Sequence, residues 1–125
     1  MNSIEHFIDG KTLKGSSKRT AKVFNPATGD VSSNVNLASR ADLNKAVEVA
    51  KKAFPSWSQK TPLFRARILF KFKELIEKNY DELTKIIVSE HGKVYDDARG
   101  SLTRGLEVVE FACGIPQLLK GEFTE

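Results

Sequence analysis

The sequence predicts an α+β segment that is mainly helical, with short N-terminal strands followed by four helices, and three observations carry that reading. The stretch before Leu37 holds short runs of β-branched and aromatic residues bounded by Gly and Pro. Beyond Leu37 the apolar residues recur every three or four positions as far as Cys113. Pro55, Pro62, Gly92 and Pro116 divide that periodic stretch into helix-sized lengths.

Residues 6–11 (HFIDGK) and 21–26 (AKVFNP) have strand character, and together they suit a hairpin whose long polar loop is KGSSKRT. Residues 25–30 (NPATGD) carry turn chemistry. After them Val31, Ser33, Val35 and Leu37 fall on one face at period two, which predicts a third strand. Ser39 and Asp42 have the spacing of a capping box. Leu43, Ala46, Val47, Ala50 and Ala53 then continue a helix over about 40–54, with Pro55 as its stop.

Thr61 and Pro62 open a second helix ending near Lys78, with an apolar stripe of Leu69, Phe72, Leu75 and Ile76 and with Arg65, Lys71, Lys73 and Lys78 mostly off it. Asn79 and Glu82 have cap spacing for a third helix over about 80–91. Its buried face is Leu83, Ile86 and Ile87, and Gly92 is its left-handed terminator. A fourth helix runs from about Val94 to Cys113 on the spacing of Val94, Ala98, Leu102, Leu106, Val109 and Cys113, and Pro116 ends it. Gly100 and Gly105 inside it each cost about 1 kcal/mol relative to Ala, which predicts a close approach there.

Composition narrows the function classes. A chain of 125 residues with 40% hydrophobic content suffices for one ordinary core. The 20 basic and 16 acidic residues give a net charge of only +4, spread from Lys11 to Lys120, which describes a solvated surface and not a nucleic-acid footprint. One cysteine cannot form an internal disulfide, and neither a secretory leader nor an apolar run of membrane length is evident. A reduced, cytoplasmic setting without nucleic acid or membrane is expected.

Cys113 raises the question of a nucleophile, because a lone cysteine can serve as one where a base or cation holds it as thiolate. At about 100° per residue it is displaced by only about 20° from Leu102, so it shares the apolar face and reads as a buried structural thiol. Arg104 lies nine positions earlier, about half a turn away, on a mixed face with Asp97, Gly100, Ser101, Val108 and Phe111. A guanidinium fork matches a carboxylate, either of a ligand or of a nearby acid such as Asp97. His6 and His91 do not converge with other ligands, and His91 with Lys93 suits the helix dipole around Gly92. Glu107 and Glu110 read as solvated acids, and Trp57 as a packing anchor. No GxGxxG, Walker A loop or paired CxxC occurs, so catalytic, cofactor and metal residues are all expected to be none.

The strings HFIDGK, FNPATGDV, AFPSWS, RARILFKFKELIE, EHGKVYDDARG and RGLEVVEFACGIPQLLKGE, in this order, resemble the N-terminal part of the aldehyde dehydrogenase superfamily. The string VVEFACGIPQLLKGE is similar to the CoA-acylating methylmalonate-semialdehyde dehydrogenases among them. The resemblance implies that residues 1–125 are an incomplete portion of the NAD-binding domain, part of an α/β fold whose central dinucleotide-binding sheet is not in this segment. It implies that the family's nucleophile and general base have no counterpart here, and that Cys113 is not that nucleophile. It also implies that Arg104, in RGLEVVEF, binds the carboxylate of a semialdehyde substrate. NAD and CoA would serve the complete enzyme, with no cofactor expected on this chain alone.

Three functional expectations follow. The first is a catalytically inert portion of an acylating aldehyde dehydrogenase. The second is one half of a split enzyme that assembles with a separate C-terminal chain, or a chain that self-associates through exposed apolar faces. The third, weaker and of another class, is a small basic helical binding module.

Overall fold

The computed structural model describes residues 2–122, which divide between Gln59 and Lys60 into two compact units. The first unit contains strands β1 (Asn2–Ile4), β2 (His6–Ile8), β3 (Lys11–Leu13), β4 (Thr20–Phe24) and β5 (Val31–Asn36), followed by helix α1 (Arg40–Ser58). The second contains α2 (Pro62–Lys78), α3 (Tyr80–His91), α4 (Tyr95–Cys113) and the single turn α5 (Ile115–Leu118).

The strand pairing differs from the expected hairpin. Residues 6–11 do not pair with residues 21–26; β2 pairs antiparallel with β3, and Asp9 and Gly10 make the turn at φ 58° and 70°. Two consecutive left-handed residues match the twist of a two-residue hairpin, so the local Asp-Gly turn prevails over the long polar loop. Strand β4 instead pairs antiparallel with β5 through the Asn25–Asp30 turn. There Gly29 N–H donates to the Asn25 carbonyl at 2.8 Å, Asn25 N–H to the Asp30 carbonyl at 2.7 Å, and Ala27 N–H to Asn25 Oδ1 at 2.9 Å. Strand β1, which the sequence reading missed, lies parallel to β5 on its other side with Asn2 opposite Ser33. The buried Asn36 joins these pieces, accepting from Ser3 Oγ at 3.3 Å and donating to the Lys14 carbonyl at 3.2 Å.

Helix α1 begins with the expected capping box. Ser39 Oγ accepts from Asp42 N–H, and the Asp42 carboxylate accepts from Ser39 N–H at 2.8 Å. It does not stop at Pro55 but continues to Ser58. Proline removes one donor and crowds one carbonyl a turn earlier. The turn beyond it keeps its own bonds, with Gln59 N–H donating to the Pro55 carbonyl and the hydroxyls of Ser56 and Ser58 donating to the Ala53 and Pro55 carbonyls.

In the second unit, α2 packs against α4 and α5, and α3 packs against α4. The covered line of α2 is Ala66, Leu69, Lys73 and Ile76, with Ala66 and Ile76 buried and the other two half-buried; it keeps Leu69 and Ile76 of the expected stripe, adds Lys73, and leaves Phe72 and Leu75 exposed. Alanines at the seam, Ala66 on α2 and Ala98 on α4, are almost wholly enclosed. Lys73 can lie along this line because its ammonium reaches Glu77 at 2.6 Å while its methylenes are covered. Phe64, Ile68, Phe72 and Leu75 form a second apolar face that borders a solvent-open groove with Arg67 and Lys71. On α3 the enclosed residue is Thr84, whose hydroxyl donates to the Tyr80 carbonyl at 2.8 Å, whereas Ile86 is exposed.

Helix boundaries otherwise follow the expected signals, except at Asn79 and Val94. Thr61 caps α2 by accepting from Phe64 N–H, and Gly92, at φ 77°, terminates α3. Asn79 does not cap α3; its amide instead donates to the Leu75 carbonyl at 2.7 Å and closes α2. Helix α4 ends at Cys113, and Pro116 sits at the start of α5, where its missing N–H costs nothing. Val94 is the residue preceding α4 and is exposed, so it does not extend the buried stripe.

Candidate functional site

Helix α4 presents two chemically different faces. One carries Ala98, Leu102, Leu106, Val109 and Cys113, of which Ala98 and Cys113 are buried and the others partly so. Cys113 is a free buried thiol, in agreement with the structural reading. The tight seam at Ala98 and the covered face below it account for the burial of a small polarizable side chain there.

The opposite face holds Arg104. Its neighbour on the preceding turn is Ser101, and Arg104 Nη2 donates to Ser101 Oγ at 3.2 Å. A second cation reaches the same oxygen: Lys93, just before α4, donates from Nζ to Ser101 Oγ at 2.7 Å. Lys93 Nζ also lies 2.7 Å from Asp97 Oδ2, one turn into the helix. The Lys93 side chain is only 17% exposed, so the pair is partly shielded from water. Asp97 is held below the usual carboxylate range, first by the hydrogen bond from Lys93 and then by the charge of that lysine, with a smaller contribution from Arg104 and with burial opposing.

The arrangement corrects two expectations. Lys93 does not serve the end of α3; it bridges Asp97 and Ser101. Asp97 accordingly pairs with Lys93 and not with Arg104, and Arg104 forms no ion pair with an acid among the described residues. The cluster has two cations and one anion, and the unneutralised cation is the arginine. Beside it Val108 and Phe111 are 68% and 69% exposed, giving an apolar border to a charged fork. The guanidinium lies over Gly100, where an added Cβ would sit 3.4 Å from Arg104 Nη1. Gly105 faces open space, so neither glycine is explained by a close approach from another element of this segment.

Sequence reasoning placed Arg104, Asp97 and Ser101 on one face but missed Lys93. The signal that could have found it is the Lys-to-Asp spacing of four, which brings side chains together on consecutive turns. His6 and His91 are not brought together by the structure with metal-binding partners. No group of three or more His, Cys, Asp or Glu able to hold a metal occurs among the described residues. His6 Nε2 is buried without a hydrogen-bond partner, against the backbone of Gly15. Trp57 is 44% exposed. No helix among the described residues is long and apolar enough to cross a membrane.

The polar chemistry of α4 can be set beside known proteins. The sequence profile of the aldehyde dehydrogenase family matches residues 13–125. A malonate-semialdehyde dehydrogenase from Pseudomonas aeruginosa is 44% identical over 124 residues, covering 99% of this chain and 25% of the relative. Another from Halalkalibacterium halodurans is 44% identical over 120 residues, covering 95% of this chain and 24% of the relative. Among solved structures, the methylmalonate-semialdehyde dehydrogenase of Oceanimonas doudoroffii superposes with a TM-score of 0.91 at 48% identity, over 98% of this chain and 25% of that one. A Sinorhizobium meliloti protein assigned to the same activity and solved with NAD gives 0.92 at 53% identity, over 100% of this chain and 26% of that one. The chain thus spans about a quarter of the length of the relatives it matches. In sequence and in fold, it belongs to the aldehyde dehydrogenase family.

Proposed function

We propose that this chain supplies the carboxylate-recognising face of a cytoplasmic, NAD-dependent, CoA-acylating semialdehyde dehydrogenase, and that it is catalytically inert by itself. The observation that carries the reading is Arg104, whose guanidinium is anchored by Ser101 and left without an acid partner among the described residues. The relatives are named for malonate semialdehyde and methylmalonate semialdehyde, two aldehydes that differ by a methyl group and share a carboxylate. A planar fork with several N–H groups matches that common feature.

In the proposed reaction, NAD accepts hydride and CoA accepts the acyl group, with loss of carbon dioxide from methylmalonate semialdehyde to leave propionyl-CoA. Neither cofactor is assigned to residues of this segment. The contribution of Arg104 is to orient the substrate by the end remote from the aldehyde, so that binding energy there is used to position the reacting carbon.

Assembly is part of the reading. The exposed Phe64, Ile68, Phe72 and Leu75 face is apolar surface of the kind that another part of an enzyme covers, whether continuous with this chain or a separate C-terminal chain.

The test is Arg104→Leu in a complete enzyme carrying this segment. Turnover of methylmalonate semialdehyde should lose on the order of 2 to 5 kcal/mol of transition-state stabilisation, while propanal, the same aldehyde without the carboxylate, should be far less affected. An equal fall in kcat/KM for both would refute carboxylate recognition. Calorimetry of the isolated chain with NAD should show no saturable binding, and saturable binding would refute its inertness.

A further inference from the structure

We infer that the hydroxyl of Ser101 is a second carboxylate donor beside Arg104, and that Lys93 positions it. The inference rests on the carboxylate-binding reading of this face and adds a specificity-determining residue to it. A serine hydroxyl has one proton to donate and two lone pairs to accept with. Lys93 Nζ at 2.7 Å and Arg104 Nη2 at 3.2 Å both donate to Ser101 Oγ, so the two lone pairs are engaged and the proton remains.

Other helical hydroxyls use that proton locally. Ser56, Ser58, Thr84, Ser89 and Thr103 each donate to a carbonyl of their own helix. Ser101 makes no such bond among the described residues. With its oxygen held by two cationic donors, the O–H is left to donate to an acceptor brought to this face beside Arg104. A carboxylate received there has two oxygens, one for the guanidinium and one for the hydroxyl, and hydrogen bonds to an ionised acceptor are the stronger kind. Asp97 does not compete for this position, because Lys93 holds its carboxylate at 2.7 Å. Lys93 therefore both neutralises the one nearby acid and keeps the serine from bonding back to its helix.

The experiment uses a complete enzyme carrying this segment, with kcat/KM measured for methylmalonate semialdehyde and for propanal. Ser101→Ala should reduce the preference for the carboxylate-bearing aldehyde by about tenfold, with a much smaller effect on propanal. Ser101→Thr, which keeps the hydroxyl, should return the preference to within about threefold of the parent, and a loss as deep as that of Ser101→Ala overturns the inference. Lys93→Met, which leaves the serine in place, should reduce the preference by about threefold by releasing the hydroxyl to its own helix. An equal fall for both aldehydes in Ser101→Ala, or no change, assigns the serine a structural role and overturns the inference. Arg104→Leu separates the two levels: if it erases the preference and Ser101→Ala does not, only the serine assignment fails. If Arg104→Leu lowers both aldehydes equally, the carboxylate reading fails and the serine assignment with it.

Discussion

The molecule contains two polar clusters built from similar parts, and they differ in whether their hydrogen-bonding capacity is used up. Around Asp42, the carboxylate accepts from the backbone N–H and hydroxyl of Ser39 and from the backbone N–H and hydroxyl of Ser16, all within 3.2 Å. Every bond is made inside the unit that contains it. Around Arg104, donors outnumber acceptors: two cations share one hydroxyl, one carboxylate neutralises one of them, and the fork and the serine proton remain. A closed cluster fixes a turn onto a helix start, whereas an open one has chemistry to offer. The difference separates structure from function more clearly than residue type does, since each cluster contains a serine and an aspartate.

The largest expected effect breaks the open cluster. Arg104→Lys keeps the charge but loses the fork, and in a complete enzyme it should cost about 2 to 4 kcal/mol in kcat/KM for a carboxylate-bearing semialdehyde. Recovery of parental kinetics with Lys would show that only charge is needed. Next comes the far side of the same helix. Cys113→Ser buries an uncompensated hydroxyl and should lower stability by about 1 to 3 kcal/mol in chemical denaturation, without changing the preference between aldehydes. Cys113 should also alkylate slowly in folded protein and quickly in denaturant. Equal rates in both would contradict its burial.

Smaller effects are expected from the closed cluster. Ser39→Ala removes the helix cap and should cost about 1 kcal/mol, read as a lower midpoint of helix loss by circular dichroism. Acid tests the same cluster through Asp42, whose carboxyl is held well below its ordinary value, first by the Ser39 N–H, then by the Ser39 hydroxyl, then by Ser16. A depressed carboxyl stabilises the fold fully above the unfolded value of about 3.9, and that stabilisation is lost as pH falls below it toward the folded value. Asp97 acts with the same sign. Thermal midpoints measured from pH 6 down to pH 3 should therefore fall more steeply in the parent than in Asp42→Asn, and parallel curves would exclude Asp42 as a contributor.

Much of this architecture was legible where the signal is local. Ser39 with Asp42, Thr61 with Pro62, and Gly92 mark helix ends by bonds made within a few residues, and all of them form. The opposition of Arg104 and Cys113 follows from helix geometry alone and held. Some of what was misread was local, as with the Asp9-Gly10 turn that pairs β2 with β3, but the rest depended on a choice among partners. Nothing in residues 21–26 says that they pair with β5 and not with β2, because pairing is a choice among strands of similar character. The stripe through Phe72 and Leu75 is more apolar than the one through Ala66 and Ile76, which carries Lys73, and only the approach of α4 decides which is covered. Lys93 was misassigned because a lysine after a helix serves its dipole by default, until an acid and a hydroxyl on the next helix offer better partners.

The parallel pairing of β1 with β5 has a consequence in time. Asn2 lies opposite Ser33, so β1 leaves the ribosome ahead of its partner and has none until β5 follows it. At about 5 to 20 residues per second, that wait is about 2 to 6 s, long compared with the microseconds in which a helix or the β2–β3 hairpin forms. The hairpin next to β1 is therefore complete while β1 is still a dangling edge. The three-stranded sheet can close only once β5 has followed β1, later than the β2–β3 hairpin but before the helices are made.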